Sequence, residues 1–282
     1  MLVAKPAGPT SHDVVDIVRR MLGEQRVGHL GTLDPFAKGL LVLVVGRATR
    51  LATFAADWPK SYEGVIRLGV TTDTDDATGT IVATAPWTGI TPVQLADVVG
   101  KFRGRYEQRP PAYSAVKIEG ERAYRRARRG ETVEPAARPV EIRELEIVEA
   151  AVPDLQFRAT VSGGTYLRSL ARDIGATLGC GAHLSALRRT AVGPFRVENA
   201  VAPEAVTPAD VRDPSTLVAH LPRREVSAAE RDAVVHGRPL KGDRPTPDTR
   251  RPIALFAGHE LLGVAERVGE VLKPRVVVVE GE

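Results

Sequence analysis

Apolar positions along the chain follow two alternating periods. Behind Thr10, the residues Val14, Val15, Val18 and Leu22 recur at helical spacing; Asp13 completes a capping-box pattern and Gly23 closes the segment. A second helix opens at Thr91-Pro92 and carries Leu95, Val98 and Val99. A third puts Leu167, Leu170, Ile174 and Leu178 on one face and ends at Gly179, with Tyr166 and Arg168 in its first turn. Between these helices the period falls to two. Tyr62, Ile66, Leu68 and Val70 share one face of a strand, Val140 to Val148 reads as another, and Leu155 to Val161 alternates as a half-buried antiparallel strand. Leu40 to Val45 is a short, unbroken apolar run closed by Gly46, the pattern of a buried strand. Ile81-Val82 is read as resuming the sheet after the polar turn Thr71 to Gly79.

From about Val201 to Pro222 the chain is rich in Pro, Ala and Asp, which marks a connection between domains. Past it, Val226 to Val235 predicts a short helix, Pro245 to Asp248 a loop, and Ile253 to Phe256, Leu261 to Ala265 and Arg275 to Val279 short strands of a small β module. The expected division is a large domain over residues 1–215, with a basic insert near 101–131, and a small domain over 222–282.

Composition adds exclusions. The 282 residues hold 39 Lys and Arg against 35 Asp and Glu, so total charge selects no partner and its distribution matters more. A lone cysteine, Cys180, excludes an internal disulfide and fits a reducing compartment. The first residues lack the apolar core of a signal peptide, and no stretch nears the ~20 apolar residues of a membrane span, so the expected location is the cytoplasm, away from any membrane. The six histidines are scattered, with no metal-ligand cluster.

Charge is concentrated in one region. Phe102 to Lys117 is proline-broken, basic and interleaved with aromatics, and Arg122, Arg125, Arg126, Arg128 and Arg129 follow on a predicted helix ended by Gly130. Charges of nearly one sign repel unless an anion is close, which favours nucleic-acid contact over a solvated helix face. Arg105, Arg109, Lys117, Arg125, Arg126 and Arg129 are the candidate contacts to a nucleic-acid backbone.

The second concentration of chemistry is the loop Val27 to Leu41, where Asp34-Pro35 precedes the buried strand. Pro35 fixes its own φ and biases Asp34 away from the helical region, holding a carboxylate at the mouth of a rigid element. An Asp-Pro pair alone is usually a turn cap; here the neighbouring motifs decide. Gly28-His29-Leu30-Gly31-Thr32-Leu33-Asp34-Pro35-Phe36-Ala37-Lys38-Gly39 resembles the signature of the TruB family of tRNA pseudouridine-55 synthases. So, in the family's order, do Lys5 to Ser11, Tyr62 with Arg67-Leu68-Gly69, Thr72 to Asp75, Pro110 to Lys117, Gly164 to Arg168 and Leu184 to Arg189. The match covers about residues 1–195, and the C-terminal module resembles, on weaker grounds, a small PUA-type RNA-binding domain.

The resemblance implies an α+β pseudouridine-synthase fold: a mixed, mainly antiparallel central sheet flanked by helices and loops, with the PUA-like module appended. It implies isomerisation of uridine in the tRNA T-loop, after the base is flipped out of the folded RNA. The reaction imports no group and changes no redox state, so no cofactor and no metal is expected. The partner is the tRNA T-arm, with no guide RNA, no obligate protein partner and a monomeric enzyme. Asp34 is the implied nucleophile, at the sugar or at the ring. Arg168 is the cation that keeps it ionised in a dry site, since an opposite charge within about 4–6 Å favours the charged form. Tyr62 is the implied stacking partner of the base and helper in removing the C5 proton. Tyr166 and Leu187 wall the uracil pocket, His29 lies beside the flipped nucleotide, and Lys5 supports the site. A non-catalytic RNA-binding or tRNA-folding protein could use the same basic surface. A nucleoside hydrolase would need a second site carboxylate to activate water; Asp73 and Asp75 are available, in a turn with no evident link to Asp34.

Overall fold

The computed structural model describes residues 1–118, 120–242 and 251–279; the predicted loop Pro245 to Asp248 lies outside them. A nine-stranded mixed sheet organises the larger part. Its order is Leu2–Lys5, Lys38–Val45, Ala182–Val192, Lys60–Leu68, Asp154–Val161, Arg138–Ala151 and Gly104–Gln108, with Val27–His29 paired to Lys38–Val45 and Phe195–Arg196 to Ala182–Val192. Lys38–Val45 runs parallel to Ala182–Val192, and the other pairings are antiparallel. The expected mixed, mainly antiparallel sheet is what the chain forms.

Helices take their predicted places. Ser11–Leu22 begins at a Thr10 capping box with Asp13 and ends on a left-handed Gly23. Pro92–Lys101 has its capping box at Thr91 with Gln94, and Leu167–Leu178 ends on Gly179. The last has no side-chain cap of its own. Gln108, fully buried on the edge strand, does that work: its Oε1 accepts from the Tyr166 N–H at 2.8 Å, and its Nε2 donates to the Tyr166 carbonyl at 3.1 Å. Leu167, Leu170, Ala171 and Ile174 bury themselves against Tyr62, Ile66, Leu68, Phe157, Leu184 and Leu187 of the sheet, closing the main core.

Two expectations needed correction, and one stretch without an assigned element gained one. Val70 does not continue the Tyr62 face, because Gly69 at φ +81° ends that strand at Leu68. Ile81-Val82 does not rejoin the central sheet; Ile81–Thr84 pairs with Val70–Thr72 in a separate exposed hairpin. The apolar-basic stretch His183 to Thr190, to which the pattern assigns no element, is the inner part of the strand joining the two halves of the sheet.

Short 3-10 turns at Pro203–Ala205, Pro208–Asp210 and Pro214–Leu217 lead to a five-stranded sheet ordered Arg223–Glu225, Ile253–Ala257, Glu260–Val268, Val271–Val277 and Leu240–Lys241, flanked by the helix Ala228–Val235. This sheet does not stand apart. Phe256, Leu261 and Val264 share an apolar cluster with Leu2, Leu30, Leu40, Val42 and Leu51. Arg47 and Arg50 add hydrogen bonds to the carbonyls of Val279 and Val277, at 2.7 and 2.9 Å.

Candidate active site

The segment from Leu30 to Lys38 leaves one strand, crosses the end of the sheet and enters the next, with Asp34 at its centre. Its backbone is held at nearly every turn. Ser11 Oγ donates to the Leu33 carbonyl at 2.9 Å and accepts from the Leu33 N–H at 2.8 Å. The Gly8 N–H reaches the Pro35 carbonyl at 2.8 Å. Lys5, 1% exposed, sends Nζ to the carbonyls of Pro6, Pro35 and Ala37 at 2.8, 3.2 and 2.8 Å. Lys5 therefore braces the Asp34 loop and makes no salt bridge among the described residues; burial lowers its pKa to about 8, with the Asp34 charge opposing and Arg189 adding to the shift.

Asp34 meets Arg168 at two points. Arg168 Nε donates to Oδ2 at 2.9 Å and Nη2 to Oδ1 at 3.2 Å. The guanidinium is itself fixed: Nη1 donates to the Thr74 carbonyl and Nη2 to the Tyr113 carbonyl, each at 2.9 Å. Four of its five N–H donors are thus used, which a 5%-exposed arginine needs. The carboxylate is less enclosed than a dry site implies. Asp34 keeps 32% of its side-chain surface open because it lies at the loop crest, so the free site is a mouth, with its closed side formed by Arg168.

The acidic turn, unlinked to Asp34 in the sequence, is linked in space. Asp76 is buried, and its Oδ2 stands 3.6 Å from Arg168 Nε on the guanidinium that holds Asp34. Its Oδ1 accepts from Thr74 Oγ1, Thr78 Oγ1 and the Thr78 N–H at 2.8, 2.6 and 2.9 Å. Asp75, at a positive φ of 59°, turns outward from this knot and pairs with Arg172 Nη1 at 2.9 Å; burial pushes its pKa up against the pull of Arg172 and Arg168. Asp73 instead closes the turn through the Thr80 N–H.

Tyr62 and Leu187 belong to the apolar cluster that also holds Leu33 and Ala37, on either side of Asp34 in the chain. The Tyr62 phenol makes no hydrogen bond with the described residues. Tyr166 is half-buried one residue before Leu167-Arg168, with the Arg138 guanidinium 5.2 Å from its ring centre. His29 is not joined to Asp34 by any hydrogen bond. Its Nδ1 is buried without a partner, and its pKa is lowered by burial and by the Arg189 charge. Sequence reasoning missed Asp76 and Arg189. For Arg189 a signal was present: two residues from Leu187 on a strand, it falls on the same inward face as that apolar residue.

The basic insert is organised differently from the expectation. Its helix is only Ala123–Arg128, with Arg122 before it and Arg129 after it. Part of its positive charge is met within the chain. Arg129 contacts Glu121 at 2.7 Å and Glu131 at 2.8 Å, and Arg126 reaches Glu131 at 2.7 Å. Arg109 likewise pairs with Glu134 at 2.6 Å. Arg122, Arg125 and Arg128 are exposed without a carboxylate partner among the described residues, grouped about Tyr124; Arg125 and Arg122 lower its pKa, and the Arg128 guanidinium lies 5.6 Å from its ring centre. Lys117 and Arg105 are exposed on strands, Arg105 opposite Glu141.

Comparison with known proteins accounts for these features together. The model of the TruB family pseudouridylate synthase N-terminal domain matches residues 19–167, and that of the tRNA pseudouridylate synthase B C-terminal domain matches residues 168–225. The tRNA pseudouridine synthase B of Azoarcus sp. (strain BH72) is 42% identical over 99% of this chain and 94% of its own length. That of Thermobifida fusca (strain YX) is 45% identical over 98% and 97%. Among solved structures, a chain of a Cbf5-Nop10-Gar1 complex shares the fold with a TM-score of 0.76 at 25% identity, over 99% of this chain and 85% of that one. One from an H/ACA RNP bound to a substrate RNA shares it with a TM-score of 0.73 at 23% identity, over 99% and 84%. The chain belongs to the TruB family of pseudouridylate synthases.

Proposed function

We propose that this chain isomerises uridine to pseudouridine at position 55 of the tRNA T-loop, as a stand-alone, monomeric, cytoplasmic enzyme without guide RNA or cofactor. The observation that supports this reading best is the two-point grip of Arg168 on a half-open Asp34. The reaction breaks the C1′–N1 bond, turns the uracil and forms a C1′–C5 bond; C5 loses its proton, and N1 gains one to become N–H. Asp34 acts at the sugar carbon or at the ring, and Arg168 orients its two oxygens. Tyr62 stacks on the ring and assists loss of the C5 proton; Leu187 and Tyr166 line the pocket and keep water from the cleaved intermediate. His29 borders the flipped nucleotide, and Lys5 holds the loop. Arginines of the insert bind T-arm phosphates, and the five-stranded module over residues 222–282 extends the RNA contact beyond the larger domain, 1–215.

The test is tritium release from C5-labelled uridine in a T-arm hairpin. Wild type releases tritium, and Asp34→Asn binds the hairpin but releases at least about a thousandfold more slowly. Tight binding with no release by wild type would leave an RNA-binding or RNA-folding protein. Free uracil in the supernatant would make it a hydrolase.

A further inference from the structure

Arg189 is fully buried and makes no ion pair among the described residues. Its Nε donates to the Leu40 carbonyl at 2.7 Å, Nη1 to the Thr32 carbonyl at 3.3 Å and Nη2 to the Gly31 carbonyl at 3.1 Å. Gly31 and Thr32 precede Asp34; Leu40 follows it. One guanidinium therefore ties both ends of the loop that lifts Asp34 to the mouth of the site.

Its backbone position is as telling. In the antiparallel pairing Arg189 stands directly opposite Tyr62, and in the parallel pairing it stands opposite Gly39. Directly opposed residues of an antiparallel pair project to the same face with Cβ atoms about 4.5–5.5 Å apart. Tyr62, Leu187 and Arg189 are all buried on that inward face. The strand carrying Leu187 thus stands beside the tyrosine, supplies part of the pocket wall and ties both ends of the aspartate loop, through two side chains two residues apart.

Burying a cation without a carboxylate is costly, and three backbone carbonyls compensate it only if their geometry is fixed. A planar fork can serve carbonyls on both sides of a loop at once; a lysine ammonium on one flexible stem cannot span them. Lys5 grips the loop centre, at Pro35 and Ala37, and leaves its ends to Arg189.

We propose that Arg189 is a positioning residue of the isomerisation, setting the Asp34 loop in register with Tyr62 and Leu187 so that the carboxylate meets the flipped ring at one distance. The inference rests on the isomerase reading above. A displacement of about 1 Å in a reacting group can cost about a hundredfold in rate, while RNA affinity depends on contacts elsewhere.

The experiment compares wild type, Arg189→Lys and Arg189→Gln in single-turnover tritium release, with each rate divided by the concentration of hairpin-binding-competent protein so that partial unfolding does not enter. Arg189→Lys is expected to bind the hairpin within about threefold of wild type and to react about a hundredfold more slowly, and Arg189→Gln more slowly still. A second readout is coupling. If Arg189 acts by setting the loop against Tyr62, the Arg189→Lys and Tyr62→Phe rate losses overlap, and the double variant is much faster than their product predicts. A normalised rate for Arg189→Lys within fivefold of wild type, or strictly multiplicative losses in the double variant, would overturn the proposal. Absence of tritium release by wild type would instead overturn the isomerase reading.

Discussion

Two groups of cations in this molecule obey opposite rules. Around the Asp34 loop, Lys5, Lys60 and Arg189 are buried and bind backbone carbonyls: Lys60 Nζ holds those of Ala56 and Trp58, each at 3.1 Å. In the insert, Arg126 and Arg129 are accessible and bind the carboxylates of Glu121 and Glu131. A buried cation on a carbonyl cannot exchange partners without leaving that carbonyl unsatisfied, so it fixes geometry. A surface ion pair is worth at most about 1 kcal/mol and can give way to a phosphate. The same residue type therefore builds a rigid support in one place and an exchangeable surface in the other.

The contrast can be broken most severely at Gly39. It adopts φ +110°, and a Cβ there would collide with the Arg189 carbonyl and approach its nitrogen to 2.8 Å. Gly39→Ala should cost about 3 kcal/mol or more, combining left-handed strain with overpacking, and calorimetry or urea titration reads it. A variant of wild-type stability would mean that the two strands part easily and that the support is not rigid.

A smaller effect sharpens the other half. Replacing Arg122, Arg125 and Arg128 by Gln should weaken hairpin binding and flatten the slope of log affinity against log salt by about 2. Replacing Arg126 and Arg129, already neutralised by Glu121 and Glu131, should change that slope by less than about 1 and chiefly loosen the insert. Equal slopes for the two sets would remove the distinction between paired and unpaired arginines.

The smallest effect is in pH. Burial lowers the Lys60 pKa to about 8, with Arg189 adding to the shift and Asp57 opposing it. Between that value and the unfolded value of about 10.4 the unfolded chain binds more protons, so this lysine makes unfolding free energy rise with pH across that window. The rise is at most about 1.4 kcal/mol per pH unit, and Lys60→Met should remove it from urea titrations at pH 8, 9 and 10.

How far the site could be read before folding depended on what its residues answer to. Asp34, Tyr62 and Arg168 were picked out by the resemblance of their motifs to those of the TruB family; the residues alone showed that a cation should stand beside Asp34, not that it would be Arg168. Asp76 was not legible, because its role exists only when the turn folds onto the strand Ala182–Val192, where the Ala77 N–H meets the Leu184 carbonyl at 3.1 Å. The self-neutralised insert was also illegible: Glu121 and Glu131 flank the arginine run in sequence, but only the folded hairpin and helix bring them to Arg126 and Arg129.

What the chain determines by itself is local: the capped helices at Thr10 and Thr91, the alternating strands, the apolar run behind Asp34 and the carboxylate held by Pro35. Each follows from backbone sterics, capping and side-chain periodicity within a dozen residues. What tertiary structure alone decides is which charges meet. Lys5, Arg168 and Arg189 come from three distant segments to one loop, because the order of strands in a sheet, not the spacing of residues along the chain, sets the distances over which a guanidinium or an ammonium can reach.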